Sequence, residues 1–113
     1  MKKLIFLLFS IIALSSQAQK STRETTSFWV AGACGMCEKT IENAVDVKGV
    51  FALDYDLSAH RLTITYKPHI ISLKQIHDLI HEAGYDTAAG VATDEQYNRV
   101  HGCCKYRTLP AHK

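Results

Sequence analysis

The sequence has few prolines, no excess of one sign of charge, and neither an internal repeat nor a low-complexity segment. Proline occurs only at positions 68 and 110 of the 113 residues. Apart from the lysines at positions 2 and 3, basic and acidic residues number eleven each, so nothing indicates the basic patch that binding of nucleic acid needs. A catalytic triad, a phosphate-binding loop and a pair of acid–base carboxylates are missing as well. These absences predict that the protein is not an enzyme and does not bind nucleic acid.

The start of the chain has the features of an export signal. Two lysines precede an apolar run at residues 4–14, and small residues follow at positions 16 and 18. The run is shorter than the roughly 20 residues that cross a bilayer. No cysteine near the cleavage point offers a site for lipid attachment. We therefore expect a cleaved signal peptide at residues 1–18, disorder at residues 19–26, and a bacterial protein that is periplasmic or secreted.

The remaining residues alternate between strand and helix patterns and predict an α+β protein. The stretch from Ser72 to Gly84 is the clearest helix, because Ser72 and Gln75 form a capping box and Gly84 suits the C-terminal stop. Strands are expected at residues 27–32, 50–56, 61–66 and 85–91, and helices at residues 37–48, 72–84 and 94–101.

The order of these elements is that of a ferredoxin-like βαββαβ sandwich, in which two helices cover one face of an antiparallel sheet. Residues 27–90 are expected to form this domain. Residues 91–113 are expected to add a short C-terminal helical extension and a Cys-Cys tail.

Two side-chain placements follow from the periodicity of the elements. In the second strand, Phe51, Leu53 and Tyr55 are expected to share the apolar face. In the second helix, His77 and His81 are expected on the solvated side, where charged residues flank them.

Two of the four cysteines lie three positions apart, in the segment GACGMC at residues 32–37. Cys34 and Cys37 fall where a strand turns into a helix, so an exposed loop holds both sulfurs near one point. The start of a helix favours negative charge and lowers the pKa of a thiol. Two converging thiolates suit a soft ion such as Cu(I), or Zn(II) with further ligands. Gly35 keeps the loop between them narrow and flexible.

Several short segments resemble, in this order, the heavy-metal-associated domain of copper chaperones, metal-pumping P-type ATPases and periplasmic mercury-binding proteins. The segments are FWVAGACGMC, TIENA, VKGV and AGYDT, and the resemblance covers residues 27–90. It implies that Cys34 and Cys37 are the metal ligands. It also implies that Tyr85 is the aromatic residue that bacterial members place beside the metal loop.

The metal loop departs from the pattern of that domain in one place. The family usually has a methionine two residues before its first cysteine, where this chain has Gly32 in a loop that is one residue shorter. Met36 lies between the two cysteines instead. We expect Met36 to pack into the core, as the family's methionine does, rather than to give its thioether to the ion.

A second pair of cysteines, Cys103 and Cys104, follows His101 near the end of the chain. Neighbouring cysteines do not readily form a disulfide with each other, because the bond strains the peptide between them. Three arrangements are open for the tail cysteines. They complete a four-sulfur site at the loop with His101 as an extra donor, they bind a second ion, or they form disulfides with the loop cysteines. The tail also resembles that of short exported bacterial proteins with the same domain, which implies a metal role for it.

The favoured hypothesis is an exported carrier that captures a soft heavy-metal ion and hands it to a transporter or efflux protein. Cu(I) is the preferred ion, with Hg(II) or Zn(II) as alternatives, and one ion shared between two loops would give a metal-bridged homodimer. A thiol–disulfide oxidoreductase is the first alternative, because CGMC at a helix start is also a redox motif, although chain length and strand order argue against the thioredoxin-like fold. The second alternative is an interaction module whose cysteines all form disulfides.

Overall fold

The computed structural model describes residues 22–108 of the chain. The predicted signal peptide lies outside the described residues, as do residues 19–21 and 109–113. Within the described part, no helix is long and apolar enough to cross a membrane. Export of the protein stays a prediction.

Three antiparallel strands form one sheet, with β3 in the middle between β1 and β2. The elements are β1 (Glu24–Trp29), α1 (Gly35–Val45), β2 (Val50–Asp56), β3 (Arg61–Tyr66), α2 (Leu73–Glu82) and α3 (Asp94–Asn98), followed by 3-10 turns at Gly102–Cys104 and Tyr106–Thr108. α1 packs against β2 and against α2. This is the ferredoxin-like arrangement, so the predicted fold class is confirmed.

β1 begins earlier than the sequence pattern predicts. Glu24 pairs with Tyr66 of β3, and the ladder continues from there to Trp29. The prediction of disorder at residues 19–26 is therefore wrong for residues 24–26, whose backbone groups belong to the sheet.

Two helices end earlier than predicted. α1 ends at Val45 rather than at Lys48, and α3 ends at Asn98 rather than at His101. In both cases the next N–H groups bond to carbonyls two or three positions back instead of four, so the α-helical turn tightens and stops.

The predicted fourth strand at residues 85–91 is reduced to isolated bridges, so this part of the prediction is wrong. Thr87 bridges to Val30, just beyond β1, and also to Gly90. The second bridge has N–H···O bonds of 2.9 and 3.1 Å in the two directions, which fold the segment back on itself before it can extend along the sheet. Further backbone bonds of 2.9 and 3.0 Å hold the segment beside the end of β1.

The buried face of the sheet and the inner faces of α1 and α2 form one apolar core. The alternation in β3 is confirmed, since Leu62, Ile64 and Tyr66 are all buried. The capping box at the start of α2 is also confirmed, with both of its hydrogen bonds between Ser72 and Gln75 present.

Phe51 is exposed, contrary to the prediction, because β2 contains a β-bulge. The pairing with β3 shifts between Val50 and Ala52, and Phe51 is the extra residue at this shift. The side chain of Phe51 therefore does not share the buried face of β2 with Tyr55. Its side chain is 46% exposed. The guanidinium of Arg23 and the ammonium of Lys67 lie over the ring, at 4.1 and 4.9 Å from its centroid.

His77 is buried rather than solvated, which corrects the prediction for that side of α2. Its ring centroid lies 4.1 Å from that of Phe28. The Thr87 hydroxyl oxygen lies 2.7 Å from Nδ1 of His77 and 2.9 Å from Nε2 of His81, which is partly buried. Because a hydroxyl has one proton, it donates to at most one of the two rings, so at least one ring donates to it. The two histidines thus tie α2 to the segment that follows it.

Candidate metal centre

The cysteine loop lies at the junction of β1 and α1, as the spacing predicts. Cys34 is the N-cap of α1 with an extended backbone, and Cys37 lies in the first turn. Their sulfurs are 3.5 Å apart. Cys37 is fully buried because it shares a helical face with Ile41 and Val45, whereas Cys34 is only partly buried. One sulfur is therefore fixed inside the domain, and the other faces the surface.

Tyr55 explains why this chain has a glycine two residues before Cys34. The Tyr55 hydroxyl donates to the Val30 carbonyl at 2.7 Å, and the side chain is buried. A Cβ atom on Gly32 would lie only 2.5 Å from that hydroxyl. Tyr55 thus fills the space that a methionine at position 32 would need.

The tail after α3 is bound to the domain through Tyr106 and Arg107. The Tyr106 hydroxyl donates to the Gly84 carbonyl at 2.7 Å and accepts from the Asp86 N–H at 3.0 Å. Its buried ring stacks on Tyr85, with centroids 5.6 Å apart. The Arg107 guanidinium lies 2.8 Å from the Asp86 carboxylate. Burial acts to raise the pKa of Asp86, but Arg107 and a backbone N–H hold it below its ordinary value.

This attachment brings both tail cysteines to the metal loop. Cys104 is fully buried and forms a disulfide with Cys37, 67 positions away. The Cys34 sulfur lies 3.2 Å from the Cys104 sulfur and 3.5 Å from the Cys103 sulfur. The four sulfurs therefore form one cluster in which Cys34 contacts the other three.

The tail folds back to the loop and forms one disulfide with it, between Cys37 and Cys104, and the metal role of the tail stays a prediction. Cys103 and Cys104 are not bonded to each other, in agreement with the prediction for neighbouring cysteines. Cys34 and Cys103 are free thiols. A module in which all four cysteines form disulfides does not match this arrangement.

The two free thiols have opposite pKa shifts. Burial acts to raise the pKa of Cys34, but hydrogen bonds with the Cys37 backbone, the Cys103 side chain and the Met36 backbone lower it overall. The pKa of Cys103 is raised, first by its hydrogen bond with the Cys34 side chain and then by burial. Cys34 thus ionises more readily than Cys103.

Met36 is exposed rather than packed into the core, so its predicted placement is wrong. Cys37 occupies the inward position of the first turn of α1, and this leaves Met36 48% exposed. The Met36 sulfur lies 3.9 Å from the Cys103 sulfur, at the open side of the cluster. Gly35 is also exposed, and a Cβ atom there would meet nothing within 4 Å.

His101 lies next to the cluster in sequence but is not part of it. Its side chain is exposed, and its carbonyl accepts the Cys104 N–H at 2.8 Å. In the described part of the chain, the group of at least three metal-ligating atoms within 4.8 Å of one another consists of the sulfurs of Cys34, Cys37 and Cys104.

Tyr85 is buried near the free thiols, where the resemblance places an aromatic residue. Burial raises the pKa of its hydroxyl. A hydrogen bond with Thr40 acts to lower it, and the charges of Cys34 and Cys103 add to the increase. The side chain therefore stays a neutral phenol beside the sulfurs.

Sequence reasoning missed the residues that hold the tail in place, namely Asp86, Tyr106 and Arg107. The sequence contains only a weak indication that these residues hold the tail. Tyr106 is an aromatic residue in a polar tail, and Arg107 follows it directly. Nothing in the local pattern indicates that Asp86, twenty positions earlier, is the partner of both.

Known proteins of similar sequence or structure include a copper chaperone and the N-terminal domain of a zinc(II) ATPase. The copper chaperone CopZ of Bacillus subtilis (strain 168) is 34% identical over 56 residues, which cover 49% of this chain and 81% of CopZ. The N-terminal domain of the zinc(II) ATPase ZiaA in its apo form is 32% identical with a TM-score of 0.52, over 58% of this chain and 96% of that domain. Oxidised MerP from Ralstonia metallidurans CH34 shares the fold, with 24% identity and a TM-score of 0.55, over 58% of this chain and 94% of MerP.

The sequence profile of the heavy-metal-associated domain matches residues 27–86, which is more than half of the chain. The matched region contains Cys34 and Cys37 and ends at Asp86, before the tail cysteines. The tail is therefore an addition to the domain rather than a part of it. On this match the chain belongs to the heavy-metal-associated domain family.

Proposed function

We propose that the protein is an exported carrier that captures a soft heavy-metal ion through Cys34 and Cys37. The observation that carries the proposal is the separation of 3.5 Å between the two sulfurs at the start of α1. Such a site passes on its ion when incoming thiolates displace the outgoing ones. The transfer breaks no covalent bond in a substrate, so the protein works as a carrier and not as an enzyme.

Cu(I) is the cargo that we favour. It is a soft ion that prefers thiolate ligands and accepts a low coordination number, which suits a site made of sulfur. The relative CopZ is a copper chaperone, whereas ZiaA is a zinc(II) ATPase. Zn(II) and Hg(II) are the alternatives that the same donor set can hold.

A metal transporter or efflux protein is the proposed receiver of the ion. ZiaA is an ATPase whose N-terminal domain has a similar structure. Close to the loop, the surface of α1 has both signs of charge, with Glu38 partly exposed and Lys39 exposed. Charges of this kind steer docking and fix the orientation of a partner. With the predicted signal peptide at residues 1–18, the transfer takes place in the periplasm or outside the cell.

Native mass spectrometry of the reduced protein with Cu(I), Zn(II) or Hg(II) under a competing chelator tests this proposal. We expect one tightly bound ion in the wild type and none in the variant Cys34→Ser/Cys37→Ser. The variant Ser58→Ala, in the exposed β2–β3 turn, is the control and retains binding. If the reduced wild type binds none of the three ions in competition with the chelator, the carrier proposal is wrong.

A thiol–disulfide oxidoreductase is the second candidate, and one observation favours it. The free thiol of Cys34 lies 3.2 Å from Cys104, which is in a disulfide with Cys37. A thiolate so placed can attack Cys104 and release Cys37 as the leaving thiolate. Catalysed reduction of insulin by a dithiol separates the candidates, because only the oxidoreductase accelerates it above the rate of the dithiol alone.

A further inference from the structure

The tail is an integral part of the fold and not a loose arm. The Tyr106 hydroxyl bonds to backbone groups of Gly84 and Asp86 at 2.7 and 3.0 Å. Besides its pair with Asp86, the Arg107 guanidinium donates to the Ala92 carbonyl at 2.7 Å. None of these bonds involves a cysteine. The position of the tail over the loop is therefore set by the domain itself, whether or not Cys104 is in a disulfide.

Three of the four sulfurs form a compact set. The sulfurs of Cys34, Cys37 and Cys104 all lie within 4.8 Å of one another. Cys37 and Cys104 are fully buried, and each is held by a different element, α1 in one case and the 3-10 turn at Gly102–Cys104 in the other. Two fixed sulfurs thus face the partly exposed sulfur of Cys34.

Cys103 differs from its neighbour in both position and exposure. Its side chain is exposed, and its sulfur is not a member of the compact set. It lies 3.5 Å from the Cys34 sulfur, 3.9 Å from the Cys104 sulfur and 3.9 Å from the Met36 sulfur. Cys103 thus covers the side of the cluster that faces solvent.

We infer that Cys104 is a permanent third sulfur ligand of the metal site, and that Cys103 is a fourth ligand used only by an ion that takes four sulfurs. The inference rests on the proposed carrier function and adds to it the ligand set. Under this assignment Cu(I) is held by Cys34, Cys37 and Cys104. Zn(II), which prefers four ligands in a tetrahedron, also takes Cys103.

The distances from the Cys34 sulfur to the other three sulfurs are close to what one ion requires. Sulfurs bound to one ion at about 2.3 Å are separated by roughly 3.8 Å in a tetrahedron and 4.0 Å in a triangle. The Cys34 sulfur lies 3.2 to 3.5 Å from the other three. An ion at the centre therefore has to move the Cys34 sulfur away from each of the other three by less than about 1 Å. The sulfurs of Cys37 and Cys104, which the disulfide holds together, have to separate by roughly 2 Å once that bond is reduced.

Reduction of the disulfide comes before metal binding. A dithiol supplies two electrons and two protons to the bond between Cys37 and Cys104 and becomes a cyclic disulfide, so that both cysteines end as thiols. The incoming ion then displaces the thiol protons into solvent, because the thiolate is the form that binds metal.

X-ray absorption spectroscopy at the copper and zinc edges counts the sulfurs around each ion and tests the assignment. The purified protein is reduced with a dithiol, the dithiol is removed by gel filtration without oxygen, and one equivalent of Cu(I) or Zn(II) is added. We expect three sulfurs around copper and four around zinc in the wild type. These counts need no variant, so the test stands even if a substitution prevents folding.

Single substitutions then distinguish the roles of the two tail cysteines in metal binding. Cys104→Ser is expected to leave two sulfurs on copper and to weaken Cu(I) binding by at least about tenfold, a loss that even an outer-shell partner can cause. Cys103→Ser is its matched control for Cu(I) and keeps three sulfurs, but it leaves zinc with three sulfurs and one oxygen. Circular dichroism verifies that each variant is folded.

Different outcomes overturn the inference and the proposed function. Two sulfurs on copper in the wild type, or an unchanged Cu(I) affinity in Cys104→Ser, would refute the role of Cys104 while the carrier proposal stands. Three sulfurs on zinc in the wild type would refute the role of Cys103. Failure of the reduced wild type to bind any ion would instead refute the proposed function.

Discussion

The sulfur of Cys34 lies 3.2 Å from the sulfur of Cys104, although 70 positions of the chain separate the two residues. The match to the heavy-metal-associated domain ends at residue 86, so the domain by itself supplies only the first of these sulfurs. Docking of the tail converts a loop with two sulfurs into a cluster with four. The predictions below test this docking, the disulfide, and the parts of the fold that support them.

The disulfide between Cys37 and Cys104 predicts a specific thiol count. Protein kept oxidised and then denatured is expected to react with iodoacetamide at two cysteines, Cys34 and Cys103, and at four after reduction. The oxidised form is also expected not to take up Cu(I) at Cys37, since a disulfide sulfur has no thiolate to offer. Peptide mapping by mass spectrometry identifies the bond, and any other pairing in the oxidised protein contradicts this prediction.

Arg107→Ala is expected to lower the free energy of unfolding by about 2 kcal/mol, because it leaves the buried Asp86 carboxylate without its charged partner. Urea denaturation of the reduced protein measures the loss. The control is Lys74→Ala, which removes the exposed pair with Asp78 and is expected to cost less than about 0.5 kcal/mol. Equal losses in the two variants would mean that the tail is not held by its ion pair.

Gly84→Ala is expected to destabilise the protein by more than about 1 kcal/mol. Gly84 has a φ of +103°, and a Cβ atom there would collide with Val100 and with the Gln96 backbone. The matched control is Gly102→Ala, where a Cβ atom meets nothing within 4 Å and the change is expected to stay within about 0.5 kcal/mol. Thermal unfolding ranks the two variants, and a Gly84→Ala protein as stable as the control would contradict the packing of α3 on this turn.

His77 is expected to make stability fall on acidification. Burial first, and the nearby His81 second, lower the pKa of His77 from its ordinary value of 6.5, so the folded protein binds the proton less readily than the unfolded chain. The contribution of neutral His77 to the free energy of unfolding is therefore fully present above pH 6.5. It is lost as the pH falls from there through the lower pKa of His77 in the folded state.

Urea denaturation at pH 7.5 and at pH 5 measures this effect of His77. The variant His77→Gln has no group that titrates at this position, so the difference in its free energy of unfolding between the two pH values is expected to be smaller than in the wild type. An equal difference in both proteins would assign the pH dependence to other groups.

A metal-bridged homodimer stays a prediction, and the tail affects how it is tested. The sulfurs of Cys103 and Cys104 compete with a second protomer for the ion held at Cys34. The variant Cys103→Ser/Cys104→Ser, reduced and loaded with Cu(I), is therefore expected to dimerise more than the wild type. Sedimentation velocity at high concentration measures this. A variant that stays monomeric when loaded would end the dimer hypothesis.

Several parts of the fold and the site follow from the sequence because they depend on residues a few positions apart. The capping box of Ser72 and Gln75 requires only one helical turn, and the burial of Leu62 and Ile64 requires only the alternation of a strand. The position of Cys34 at a helix start follows in the same way from its spacing to the apolar residues of α1.

Other placements are decided by contacts between residues that are distant in the chain. Phe51 alternates correctly with its neighbours but is exposed, because a bulge in the pairing with β3 changes its face. His77 lies among charged residues in sequence, yet the side chains of Phe28 and Thr87 enclose it. A periodic pattern contains no information about which distant residue packs on each face, so it does not predict such exceptions.

The sequence by itself determined the family, the fold class and the cysteine pair of the loop, since each depends on local spacing and on the order of short motifs. Only the tertiary structure decided which of the predicted arrangements the tail adopts. The physical reason is that the tail is fixed by specific hydrogen bonds and by contacts between charged groups, above all the ion pair of Arg107 with the buried Asp86. Groups 21 positions apart form that pair, and only the folded domain brings them within 2.8 Å.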